Sequence, residues 1–123
     1  MPRKEPLVSP NNIEANPPLN RAEAMERVGD DASFLEDLLT IYHEEFAEKS
    51  PALAEALNKG DAKAVREIGH YLKGASANLS LPGLQAAAWT IEKSGADNKL
   101  DDAKAAYQIL LAEYDRLKNF LGE

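Results

Sequence analysis

Residues 100–121 read LDDAKAAYQILLAEYDRLKNFL. Within them Leu100, Ala103, Tyr107, Leu110, Tyr114, Leu117 and Leu121 recur in alternating steps of three and four. That spacing puts all seven on one stripe of an α-helix, the seam by which antiparallel helices pack in a bundle. A helix from about Asp101 to Leu121 is therefore predicted, amphipathic and in need of partners.

The partners lie upstream, separated by glycine and proline. Gly29, Gly60, Pro82-Gly83 and Gly95 fall between periodic segments, where helix ends and turns belong. They delimit a short helix from about Asn20 to Val28 and a long one from about Ala32 to Asn58, with Pro51 expected to kink it. A third runs from about Asp61 to Leu79 and a fourth from about Pro82 to Ser94. Asp30 or Asp31, Asp61, Ser80 and Asp101 are the candidate N-caps. The long helix offers Leu35, Leu39, Tyr42, Phe46, Leu53 and Ala56 as its seam, the third Val65, Ile68, Leu72, Ala75 and Leu79, and the fourth Leu84, Ala88 and Ile91. No strand-like alternation is present. The fold class predicted is all-α, an antiparallel up-down four-helix bundle with a short leading N-terminal helix.

The chain has 123 residues, one domain's worth, and no Cys, which removes disulfides, thiolate metal sites and cysteine nucleophiles together. Five of its seven prolines fall at Pro2, Pro6, Pro10, Pro17 and Pro18. Residues 1–18 thus read as a proline-rich flexible arm or linker, and residues 19–123 as the bundle. The formal net charge of -7 argues against nucleic acid as a partner. Apolar runs such as Ala86 to Trp89 are too short for membrane insertion, and no signal sequence precedes them. A cytoplasmic monomer is the expectation.

The third helix is the least generic. About 100° per residue places His70 roughly opposite the mean direction of its apolar seam, pointing into solvent. Lys63 and Arg66 precede it on the same face, Lys73 follows, and Gly74 and Ala77 complete its surroundings. Such a basic cluster on an acidic protein is a candidate anion site. Gly69 and Gly74 both sit inside this helix, where each costs about 1 kcal/mol relative to Ala. Gly69 leans toward a neighbouring helix, whereas Gly74 lies on the open side and clears space around the imidazole. His43 stands among Glu44, Glu45 and Glu48, which would repel a phosphate, and is read as a surface residue.

The run His70-Tyr71-Leu72-Lys73-Gly74-Ala75-Ser76-Ala77-Asn78-Leu79 resembles the signature of histidine-containing phosphotransfer (HPt) domains, H-x-L-K-G followed by small residues. Leu84, Ala88 and Ile91-Glu92 resemble the family's next conserved run. Gly29-Asp30, Phe34, Leu38, Phe46, Leu57 and Gly60-Asp61 resemble its lead-in, so the likeness covers roughly residues 19–121. Ser80 departs from the pattern, since the family usually carries Gly there. The resemblance implies a phosphoryl carrier of a multistep phosphorelay rather than an ATP-using kinase. His70 would be the phosphoryl-accepting nucleophile and Lys73 the phosphate's counter-charge. Gly74 would keep the imidazole accessible, with Arg66 and Lys63 as a supporting basic face. The partners implied are receiver domains of response regulators or hybrid kinases. No cofactor is expected on this chain, because the receiver brings the Mg²⁺ and the aspartate.

Phe34, Leu38 and Ile41 form a second apolar stripe on the long helix. Either the leading helix covers it with Met25 and Val28, or part of it, with Leu38, Ile41 and Ala77, receives a docking receiver domain. Trp89 lies off its helix's seam, flanking the core or partly exposed. A di-iron bundle would need inward Glu-x-x-His pairs on two helices, and only Glu67/His70 has that spacing. No metal site is expected. The alternative function is a noncatalytic helical docking module with a vestigial histidine.

Overall fold

The computed structural model describes residues 17–123, so the proline-rich arm expected over residues 1–18 lies almost wholly outside the described residues. Five helices follow one another: α1 (Arg21–Arg27), α2 (Ala32–Lys59), α3 (Ala62–Asn78), α4 (Pro82–Ala96) and α5 (Leu100–Leu121). Side chains of Asn20, Asp31 and Asp61 accept from the backbone N–H three residues on, capping α1, α2 and α3. Gly60 ends α2 in the left-handed region, at φ 72°. Pro51 lies inside α2, and the helix continues through it. Its side is exposed to water, which can satisfy the carbonyl that proline leaves without a donor.

Two expected caps are corrected. Ser80 does not cap α4; it takes φ 60° in the α3–α4 turn, and its hydroxyl donates to Glu23 Oε1 at 2.7 Å. Leu81 holds the cap position without a side-chain bond, and Pro82 begins the helix with no N–H to satisfy. Asp101 likewise lies inside the first turn of α5, beside Asp102, where a carboxylate faces the positive end of the helix dipole.

The pairings run antiparallel. Between α2 and α5, His43 meets Tyr114, and two turns later Ser50 meets Tyr107, two turns earlier in α5. Between α3 and α4, Gly69 packs on Glu92 and Gly95 packs on Arg66. The helices α2 to α5 thus close into a four-helix bundle. Leu35, Leu53, Val65, Leu72, Leu84, Ile91, Leu110 and Leu117 fill its centre, all buried. Burial of each such side chain is worth about 1.5–3 kcal/mol.

The core face of α3 differs from the expected one. Val65, Leu72 and Leu79 are buried as predicted, but Gly69 and Ser76 complete the face, and Ile68 and Ala75 are only half-buried. A Cβ on Gly69 would lie 2.6 Å from the backbone nitrogen of Glu92. Glycine is thus what lets α4 approach. The Ser76 hydroxyl pairs with the buried Tyr42 hydroxyl at 2.8 Å, and burial pushes that phenol well above its ordinary pKa. Small residues, not the bulkiest, mark the inward direction. That rotates the helix by about 40° from the hydrophobic estimate and tips the histidine face toward α4.

Candidate functional site: the histidine face of α3

His70 stands midway along α3 with 69% of its side chain exposed. It is not isolated in solvent, as the sequence suggested. The rotation of α3 brings it against Glu92 of α4, whose Oε2 lies 2.9 Å from Nδ1. The other oxygen, Oε1, is 2.7 Å from the Lys73 ammonium. One carboxylate therefore spans the imidazole and the lysine. Lys73, more than the His70 hydrogen bond, holds the Glu92 carboxyl below the ordinary carboxylate range, against the opposing effect of partial burial. An ionised carboxylate only accepts hydrogen bonds, so Nδ1 carries the ring proton and donates it to Glu92. Nε2 is then the nitrogen with the free lone pair. Among the described residues nothing engages it.

Around this centre the other candidates are spread. Gly74 faces open space, with no atom within 4 Å of where a Cβ would sit. Lys63 and Arg66 are exposed on α3 and form no ion pair among the described residues. Ala77 is half-buried. Tyr71, next to His70, turns toward α2 instead, where its hydroxyl donates to Glu45 at 2.6 Å and the Lys49 ammonium sits over its ring. The bond to Glu45 raises its pKa. Phe34 and Ile41 are each 48% exposed, so α1 leaves that stripe open, while Leu38 is partly packed against the core. The stripe lies on the side of α2 from which Glu45 and Lys49 reach Tyr71.

His43 corrects the sequence reading. Only 21% of its side chain is exposed. Nδ1 is hydrogen-bonded with the Tyr114 hydroxyl at 2.7 Å, and Nε2 lies 3.1 Å from Glu123 Oε1 without a hydrogen bond to it. Its acidic sequence neighbours are not what determines its setting; Tyr114, stacked on Phe46, is. Trp89 is half-exposed, as the sequence allowed, above a groove between α4 and α5 shared with Ile109.

An outward histidine followed by lysine and glycine one turn on coincides with a family model, the Hpt domain, matching residues 37–120. The chain belongs to the Hpt domain family. The matched span runs from the second turn of α2 to the end of α5 and is narrower than the likeness read from the sequence, leaving α1 outside. Comparison with curated proteins and with solved structures found no match. Hpt domains carry out histidine phosphotransfer in phosphorelays and interact with receiver domains. No described helix is long and apolar enough to cross a membrane. The residue whose part in this Hpt site was not anticipated is Glu92. Its partners are remote in sequence, and only its place in the family-like Ile91-Glu92 run singled it out.

Proposed function

We propose that this Hpt domain accepts a phosphoryl group on His70 Nε2 from a receiver-domain aspartyl phosphate and passes it to the aspartate of another receiver. The observation that carries this reading is the asymmetry of the imidazole: Nδ1 is held by Glu92, and Nε2 is open to solvent. In the forward step the Nε2 lone pair attacks phosphorus and the bond to the aspartate oxygen breaks, returning a carboxylate. The ring becomes positively charged, and Glu92 faces that charge across Nδ1–H, much as a triad carboxylate serves its histidine. Lys73 is the cation nearest to the incoming phosphoryl oxygens, with Arg66 and Lys63 extending positive potential along the approach. Mg²⁺ belongs to the receiver, so this chain positions and balances charge rather than activating the phosphoryl group. Gly74 leaves room for the receiver's rim, and Ile41 of the open α2 stripe, with the partly buried Leu38 and Ala77 of α3, offers it apolar footing.

The test is phosphoryl transfer from phosphorylated receivers. His70→Gln is expected to abolish an acid-labile, alkali-stable label while the helical circular dichroism is unchanged. His43→Gln is expected to retain the label. Label that persists in His70→Gln and vanishes in His43→Gln would falsify the assignment, and a wild-type protein that takes no label from any donor would favour a docking module.

A further inference from the structure

We propose that Glu92 makes His70 a carrier that discharges readily rather than one that stores its phosphoryl group, by keeping Nδ1 protonated after Nε2 is phosphorylated. The inference rests on the reading of His70 as phosphoryl acceptor and concerns how long the group stays there.

An N–P bond breaks easily only when the departing nitrogen ring leaves neutral. In discharge, a water or aspartate oxygen forms the new bond to phosphorus while the Nε2–P bond breaks, and its electron pair returns to Nε2. If Nδ1 already bears a proton, that pair converts a cationic ring to neutral imidazole and no further proton is needed. If Nδ1 is bare, the ring would leave as an anion, which is far less stable. This is the chemistry behind the acid lability of phosphohistidine. Whatever holds the proton on Nδ1 therefore sets the pH up to which discharge stays fast.

In this molecule that task falls to the Glu92 carboxylate, 2.9 Å from Nδ1. Lys73 opposes it, because its ammonium is 2.7 Å from the same carboxylate and draws off part of its charge. The remaining charged groups act more weakly. Lys63, Arg66 and Glu67 lie along α3 at one or two turns' distance or on the adjoining face. From α2, Glu45 and Lys49 engage Tyr71 instead. On α4, Lys93 pairs with Asp97. Glu92 and Lys73 thus form a balance about the ring: the carboxylate favours release, and the lysine favours retention. Opposite charge within hydrogen-bond reach typically shifts a protonation midpoint by about 1–3 units.

The experiment labels the intact protein with phosphoramidate, a small donor that needs no receiver, and follows loss of phosphohistidine from pH 5 to pH 10. Wild type is expected to discharge quickly up to a midpoint and then slow. In Glu92→Gln that midpoint should fall by about one unit, so that near pH 8 the label survives roughly tenfold longer. Lys73→Gln should move the midpoint the other way and shorten the lifetime. Glu92→Asp, which keeps the charge but withdraws it by one methylene, should fall between wild type and Glu92→Gln, and it serves the same test should the glutamine variant not fold. Coincident pH profiles for wild type, Glu92→Gln and Glu92→Asp would overturn the inference while leaving His70 as acceptor. A lifetime shortened in Glu92→Gln would overturn it too. Failure of wild type to take any label on His70 would overturn the acceptor reading, and this inference with it.

Discussion

Two glycines in α3, five residues apart, have opposite surroundings. A Cβ on Gly74 meets nothing within 4 Å, whereas one on Gly69 would lie 2.6 Å from Glu92 N and 2.9 Å from its Cα. Replacing Gly74 by Gln therefore removes an interior helix glycine without a clash. The melting temperature is expected to hold or rise, with a gain of up to about 1 kcal/mol. The side chain would stand beside His70 on the receiver's path, so transfer from a receiver should drop at least roughly tenfold, a loss of about 1.4 kcal/mol in the transition state. Labelling by phosphoramidate should change much less. A destabilised variant with normal transfer would show that Gly74 serves packing instead. For Gly69→Ala the clash is with backbone, which cannot rotate away, and a destabilisation of about 1–3 kcal/mol is expected in denaturant melts. That variant should also slow labelling of His70, because α4 carries Glu92 and must move to make room. Both glycines are visible in the sequence, and even their different directions were. The depth of the Gly69 contact was not, since it depends on where the backbone of α4 runs.

The α3–α4 turn shows how an element boundary can be read for the wrong reason. Ser80 stands where glycine is usual in the family-like motif, and smallness alone would make the exchange harmless. The backbone gives a different account: at φ 60° Ser80 is in the left-handed region, where a Cβ costs roughly 1–2 kcal/mol and glycine is free. The hydroxyl bond to Glu23 on α1 offsets part of that cost and ties the leading helix to the turn. The backbone bond from Asn20 N to Ser80 O, 2.9 Å, strengthens the tie. Ser80→Ala loses the hydroxyl and keeps the strain, while Ser80→Gly loses the hydroxyl and the strain together. The alanine variant is accordingly expected to be less stable than the glycine variant by about 1 kcal/mol in thermal or chemical melts. Equal stabilities would mean that the left-handed geometry relaxes when the hydroxyl is removed.

At the scale of the molecule, the exposed large apolar side chains of the described residues include Phe120, which lies under Arg21 near the end of α5, and two paired sets. Phe34 and Ile41 lie on the α3 side of α2, and Trp89 and Ile109 flank the groove between α4 and α5. Only the first adjoins the helix that presents His70. Ile41→Asp removes apolar footing without touching the core, so stability should stay within about 0.5 kcal/mol. Transfer from a receiver should weaken mainly through KM, with phosphoramidate labelling unaltered. The same substitution at Ile109 is expected to leave transfer unchanged, and loss of transfer there instead would move the docking face to α4 and α5.

Whatever depends on neighbours along one helix was legible in the sequence: the seam of α5, the cap at Asp61, the α2 cap narrowed to Asp30 or Asp31, and the outward half of α3 with His70, Lys73 and Gly74 on it. These follow from a period of 3.6 residues and from local backbone chemistry. Tertiary structure alone decided the rest. A hydrophobic period cannot tell that Gly69 and Ser76, rather than Ile68 and Ala75, mark the inward direction, because that depends on which backbone approaches. Nor can it pair His70 with Glu92, or pack the half-buried His43 against Tyr114 and beside Glu123. Such contacts join residues whose sequence separation carries no periodic signal. They exist only once two helices have packed at a particular distance and register, and in this protein the small residues of α3 and α4 set both.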